Sequence, residues 1–360
     1  MSSGIQGRIV FLDYMRIFAF ASVLVGHKLI DSLNAVISDD KNHITLRYLC
    51  EALHALCVGG GAGVVVFFLT SGYIITHVLQ KESPSEFLIK RAFRIYPLYI
   101  LAVILEVVLG YAINGTKIPS ASTMIPRLLL IGDFFQTPTG LANVEWTLRI
   151  EVLFYVFMAL IKKTGALDRP KVMPVVYTVL AAILFVMPLL PARGSWNFGY
   201  VNAYTLFLLI GSMFYLAEQR LANITICISA SSALLVLFLV KTAETHPFWK
   251  DSNFAIIATI IFGISLLYRS EFKYNRTVGV FSNLTFSVYL FHNWLWEYIA
   301  IPVSALGATG LTKDALIILP LFSICYLLHM SVERRFTALG RKFTYKKNNK
   351  ASAAIITADA

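Results

Sequence analysis

Apolar residues run in long blocks along this chain, separated by short polar or turn-rich breaks. A helix that crosses a bilayer needs about 20 apolar residues. Ten segments approach that length: roughly 9–30, 56–79, 96–114, 144–161, 172–191, 200–217, 222–241, 253–268, 281–301 and 314–332. Turn residues such as Asn114–Gly115 and Pro188–Pro191 fall between them. The pattern predicts an all-α fold, a polytopic membrane bundle of about ten helices. Residues 1–340 form one transmembrane domain, and residues 341–360 form a basic, unstructured tail. The acidic stretch Asp31–Glu51 reads as a polar loop. The connection between Asn114 and Val144 contains MIPRLLLIGDFF, which suits a re-entrant or interfacial segment.

Composition agrees with this picture. Only 14% of residues are charged and mean hydropathy is +0.69, whereas soluble domains average about 25% charged residues. The first apolar run is long enough to span and is followed by no small-residue cleavage site, so it reads as a retained span and not a secretory leader. Net charge is +11, which at first suggests nucleic acid. Its distribution argues against that. With a cytoplasmic N-terminus, 20 Lys/Arg fall on the cytoplasmic side and 9 on the other, with Arg16 and Arg149 inside spans. That asymmetry is the positive-inside rule with both termini cytoplasmic, and the Lys-rich tail suits anionic membrane lipid. Cys50 and Cys57 could pair in an oxidising compartment, but their spacing matches neither a metal nor a redox motif. The histidines show no metal-ligand spacing, so no metal is expected.

Candidate chemistry lies where charge interrupts apolar runs. The first segment, IVFLDYMRIFAFASVLVGHKLI, carries Asp13, Arg16 and His27. A charge at mid-membrane costs ~2.5–3.5 kcal/mol on insertion scales, so such groups face a polar interior. At 100° per residue His27 returns to within ~20° of Arg16, ~16 Å further along the helix. In SEFLIKRAFRIYPLY, Ser85 is a candidate N-cap, and Arg91 and Arg94 share a face. They read either as a positive-inside anchor or as a clamp for phosphate or pyrophosphate. The glycines of VGGGAGVVVFFLTSGYII suit close helix packing or the approach of a ligand. Glu145 looks interfacial, and Glu151 is either half of a buried ion pair or a carboxylate that orients a histidine. His292, among Tyr289, Trp294 and Trp296, reads most simply as a hydrogen-bonded structural residue. Glu333, Arg334 and Arg335 read as a cytoplasmic helix end.

Each signal is weak alone, but their order is specific. LDYMR followed by ten residues and His27, then FFLTSGYII, KRAFRIYP, WTLRIEVLFY, SVYLFHNW and VERRF together resemble the blocks of the acyltransferase family 3 membrane proteins. The resemblance covers about residues 9–340. Thr147, where Ser is commoner, is a small departure. The resemblance implies O-acyl transfer from cytoplasmic acyl-CoA, acetyl-CoA by default, to a hydroxyl of a lipid-linked or exported glycan at a bacterial cytoplasmic (inner) membrane. It implies His27 as general base or acyl carrier, Glu151 as its orienting partner, and Asp13 with Arg16 as an electrostatic pair. Arg91, Arg94 and Arg16 would meet the donor, and Ser71 and Trp146 would shape the pocket. Two rivals stand beside it: a proton-coupled transporter using Asp13, Arg16 and His27, and a non-catalytic membrane subunit whose charges are packing pairs.

Overall fold

A computed structural model describes residues 8–192, 198–246 and 254–345. Fourteen α-helices are formed among them: α1 (Val10–Lys28), α2 (Ile30–Ser38), α3 (Ile44–Cys57), α4 (Gly61–Leu79), α5 (Pro84–Asn114), α6 (Ala121–Leu128), α7 (Glu145–Lys163), α8 (Met173–Val186), α9 (Tyr200–Glu218), α10 (Ile224–Thr245), α11 (Phe254–Leu267), α12 (Arg276–Phe291), α13 (Trp294–Ala305) and α14 (Gly310–Leu328). No strand occurs among the described residues.

Among the described residues, six helical stretches are long and apolar enough to cross a membrane: Val10–Lys28, Ile44–Leu79, Pro84–Asn114, Tyr200–Glu218, Ile224–Thr245 and Gly310–Tyr345. Pro170–Val186 and Phe254–Leu267 are shorter apolar helices. The expected segment at 144–161 is the 19-residue α7, whose charged residues keep it from reading as a simple span. The segment at 281–301 is divided between α12 and α13 at His292–Asn293. The chain is therefore an all-α membrane bundle, with the individual crossings less uniform than ten equal apolar runs suggest.

Three local expectations need correction. The polar loop expected at 31–51 is largely helical. His43 accepts a hydrogen bond from Thr45 N at 3.3 Å and starts α3, and Arg47 ties α3 back to the Ile37 carbonyl at 2.8 Å. Leu33, Ile37, Leu46 and Leu49 space apolar positions that the acidic residues masked. The cap of α5 is Ser83, which accepts from Glu86 N at 3.3 Å, with Pro84 as the first helical residue. Proline there loses no hydrogen bond and presets the helical φ. At the other end the helix continues beyond 340 to residue 345, so the expected tail begins later than 341; residues 346–360 lie outside the described residues.

The helix α4 sits between α1 and α9, with α7 and α11 also against it. Its glycines explain the closeness. A Cβ at Gly63 would strike the Ala19 carbonyl of α1, and one at Gly72 the Leu208 carbonyl of α9. Reciprocally, a Cβ at Gly211 of α9 would strike the Leu69 carbonyl. Small residues let helix backbones approach where lipid supplies no hydrophobic drive between helices. Of the two uses foreseen for the FFLTSG stretch, helix packing accounts for Gly72. Gly59 and Gly60, at φ +62° and +69°, make the corner between α3 and α4 in a conformation that L side chains adopt only with strain.

Replacing Gly72 with Leu should lower the thermal midpoint of the detergent-solubilised protein, since overpacking costs about 1–3 kcal/mol. Gly263 has open space around its would-be Cβ, so Gly263→Ala should leave that midpoint unchanged or raise it. Equal losses for the two variants would contradict the packing assigned to Gly72.

Candidate active site

Two polar sites lie at opposite ends of α1. The first is a cavity of about 750 Å³ lined by the start of α1, the middle of α4, α5, α7 and α12, and the stretch that continues α14. Asp13, 2% exposed, sits in its wall. It accepts from Arg8 Nε at 2.5 Å and Arg8 Nη2 at 3.1 Å, from Ser282 Oγ at 2.7 Å, and lies 3.8 Å from Arg16. The expected Asp13–Arg16 pair is present, with Arg8 as its stronger partner. Asp13 thus joins the start of α1 to α12 and leaves Arg16 free to face the cavity.

Arg91 and Arg94 line the same cavity as Arg16. The Arg91 guanidinium lies 5.2 Å from the Phe87 ring centroid and 5.8 Å from that of Tyr155. Its Nε is buried without a hydrogen-bond partner. Ser71 and Glu151 lie deeper, with Ser71 Oγ donating to Glu151 at 3.1 Å. Trp146 is elsewhere. It packs among Phe68, Tyr200 and Tyr204, because its position on α7 points it toward α9. Its expected place in the pocket wall is therefore corrected.

The second site is built on His27. Glu151 is not its partner, contrary to expectation: one helical run of spacing cannot say which distant residue meets a given side chain. The His27 ring stacks instead on His292, centroids 5.2 Å apart, with Nδ1 3.0 Å from His292 Nε2. His292 is 1% exposed, and its Nδ1 lies 2.7 Å from the Tyr289 carbonyl. A carbonyl only accepts, so His292 Nδ1 carries the proton there and the neutral ring's Nε2 is an acceptor. His27 Nδ1 then donates to it. The lone pair of His27 Nε2 remains, on a residue that is exposed. Gly60 lies beside that nitrogen, with a would-be Cβ 3.4 Å away. The Gly59 backbone is within hydrogen-bonding reach of the ring. The reading of His292 as hydrogen-bonded was right as far as it went. What it missed was the partner, 265 residues away in sequence.

Tyr289 links the two sites. Its carbonyl holds His292 and its ring lines the cavity. Its hydroxyl is 2.7 Å from Thr147 Oγ1, and its ring stacks on Phe67 with centroids 5.9 Å apart. Phe67 also lines the cavity.

The start of α7, and so Thr147 and Glu151, is fixed by a charge network that the interfacial view of Glu145 did not anticipate. Glu145 is 1% exposed and accepts from Arg127 Nε at 2.7 Å and Arg149 Nη2 at 2.8 Å. Arg149 also donates to Asp133 at 2.6 Å, and Glu106 of α5 bonds Arg127. The segment after Asn114 is docked through these ions. For Arg127, burial alone would lower the pKa, but Glu145 and Glu106 outweigh it and hold the guanidinium above its ordinary value. All four cysteines are free. Among the described residues no cluster of three or more His, Cys, Asp or Glu could hold a metal.

The sequence profile of the acyltransferase domain matches residues 9–330. The chain belongs to acyltransferase family 3. Curated relatives agree. It is 24% identical over 303 residues to the exopolysaccharide production protein ExoZ of Rhizobium meliloti (strain 1021), covering 78% of this chain and 91% of that protein. It is 30% identical over 103 residues to the acyltransferase MdmB of Streptomyces mycarofaciens, covering 27% of each; the match spans about a quarter of that relative's length. No solved structure matches the chain.

Arg149→Met should leave Glu145 and Asp133 short of a buried counter-charge. Breaking such a pair costs about 3–5 kcal/mol, and a drop in thermal midpoint larger than that of an exposed Arg335→Gln variant is the expected result.

Proposed function

We propose that this membrane acyltransferase moves an acyl group, acetyl by default, from acyl-CoA on its basic, cytoplasmic face to a hydroxyl of a lipid-linked or exported glycan on the other face. His27 is the general base. One observation carries this reading: a single helix, α1, holds an arginine-lined cavity at one end and, at the other, an exposed histidine whose tautomer is fixed by a buried histidine. The exopolysaccharide in the name of ExoZ supports a saccharide acceptor, and family membership favours acyl transfer over the transporter alternative. A bacterial inner membrane is the matching location.

The chemistry follows from those groups. The anionic head of acyl-CoA docks at Arg91, Arg94 and Arg16, since guanidinium forks suit phosphate oxygens bidentately. The pantetheine arm is thin and carries two amides. Ser71 and Glu151 offer acceptors for their N–H groups, a role that replaces the orientation of His27. The thioester passes the stacked Phe67 and Tyr289 rings toward His27. His27 Nε2 takes the proton of the acceptor hydroxyl as its oxygen attacks the thioester carbonyl. The tetrahedral intermediate collapses with cleavage of the C–S bond. The thiolate recovers the proton from His27 and leaves as CoA thiol, and the acyl ester remains on the acceptor. His292 supports the transient imidazolium by accepting from His27 Nδ1, and the Gly59 backbone can accept a hydrogen bond from the protonated Nε2.

His27→Ala protein that folds normally should lose about 10²–10⁴-fold in turnover. Mass spectrometry of surface glycans with and without the gene should show an acetyl increment that disappears with this variant. A folded His27→Ala protein that still acetylates would remove the base assignment. Arg91→Gln with Arg94→Gln should raise KM for acetyl-CoA at least about tenfold while changing kcat less, charged hydrogen bonds being worth ~1.5–3 kcal/mol each.

A further inference from the structure

The cavity wall holds more positive charge than a pyrophosphate requires. Among the described residues, six arginines line it. Arg8 and Arg16 answer to Asp13. The other two cavity carboxylates are engaged by neutral donors or histidine: Glu151 by Ser71, and Glu333 by Ser287 and His329. Arg91, Arg94, Arg334 and Arg341 therefore have no carboxylate within ion-pair distance among the described residues. They form two pairs on two elements. Arg91 and Arg94 are on α5. Arg334 and Arg341 lie seven residues apart on the helix that continues α14, so they share a face, ~10 Å apart along its axis.

Local structure aims that second pair inward. A π-helical turn, His329–Glu333, precedes it. The extra residue of a π turn rotates everything after it by about 100° relative to an uninterrupted α-helix. Arg334, Thr337, Ala338 and Arg341 all line the cavity as a result. Gly340 backs onto α5, where a Cβ would lie 2.8 Å from Phe93 Cβ. That close approach sets the stripe alongside the helix that carries Arg91 and Arg94.

A pyrophosphate diester carries two negative charges, which one arginine pair matches. A phosphomonoester adds about 1.5–2 more at neutral pH, which the second pair matches. We propose that Arg334 and Arg341 form a subsite for a phosphomonoester on the nucleoside end of the donor, the 3′-phosphate of CoA, and that the enzyme thereby selects CoA thioesters over donors that lack this group. The inference rests on the acyl-CoA reading above. It also separates CoA from a carrier-protein-bound pantetheine, whose single phosphodiester would leave three of the four guanidiniums unanswered.

The test compares CoA with 3′-dephospho-CoA for binding to the full-length protein in detergent. Wild type should bind CoA about 10–100-fold more tightly. In Arg334→Gln/Arg341→Gln protein the ratio of the two dissociation constants should fall towards one, while Arg335→Gln, which lies outside the cavity lining, should keep the wild-type ratio. Because each ratio is taken within one preparation, a smaller folded fraction does not move it. Equal affinity of wild type for the two ligands, or a full preference retained by the double variant, would overturn the subsite. Binding of neither CoA nor acetyl-CoA by wild type would instead overturn the acyl-CoA reading itself.

Discussion

The closeness of backbones along α4 governs how α1, α7 and α9 meet. Inside a lipid bilayer, apolar side chains gain little by meeting one another, because the tails are just as apolar; packing and hydrogen bonding have to hold the helices. Gly63 and Gly72 of α4, with Gly211 of α9, give their side-chain space to carbonyls of neighbouring helices. Gly26 of α1 does the same for the Cys57 carbonyl, just before the Gly59–Gly60 corner. The register of α1 against α4 therefore puts His27 beside Gly60, and that of α4 against α7 puts Ser71 beside Glu151. A slide of one turn, 5.4 Å, would separate both pairs.

Charges in this bundle fall into two kinds. One kind is paired. Arg127 and Arg149 are tied to Glu145, Asp133 and Glu106, and Asp13 holds Arg8 and Ser282. Such sets fix segments. The other kind is left open: guanidiniums around a cavity, and a histidine nitrogen with a free lone pair. Unanswered groups are costly in a low-dielectric setting, so a cluster of them at each end of α1 asks for a reason beyond packing.

The parts of this arrangement that were legible from sequence are those encoded locally. Apolar run length located most helices. Spacing on one helix placed Asp13 beside Arg16 and Arg91 near Arg94, and the order of blocks identified the family. Pairings across helices were not legible. His27 meets His292, and Glu151 meets Ser71, because of how α1, α4, α7 and α12 are docked, and no periodicity reports docking. Composition misled in two places. Acidic residues hid α2 and α3, and position near a predicted span end made Glu145 look interfacial although two arginines surround it. Arg334 looked like an ordinary cytoplasmic anchor because the π turn that redirects it leaves no mark in the sequence.

The stacked rings of Phe67 and Tyr289 have one more consequence. They line the arginine-walled cavity near one end of α1, while His27 is exposed at the other end. A permanent water-filled shaft there would let ions run down the membrane potential, releasing ~2.3 kcal/mol per charge for each 100 mV. Two stacked aromatic side chains, one of them tethered through its hydroxyl to Thr147, are apolar bulk set against such a shaft.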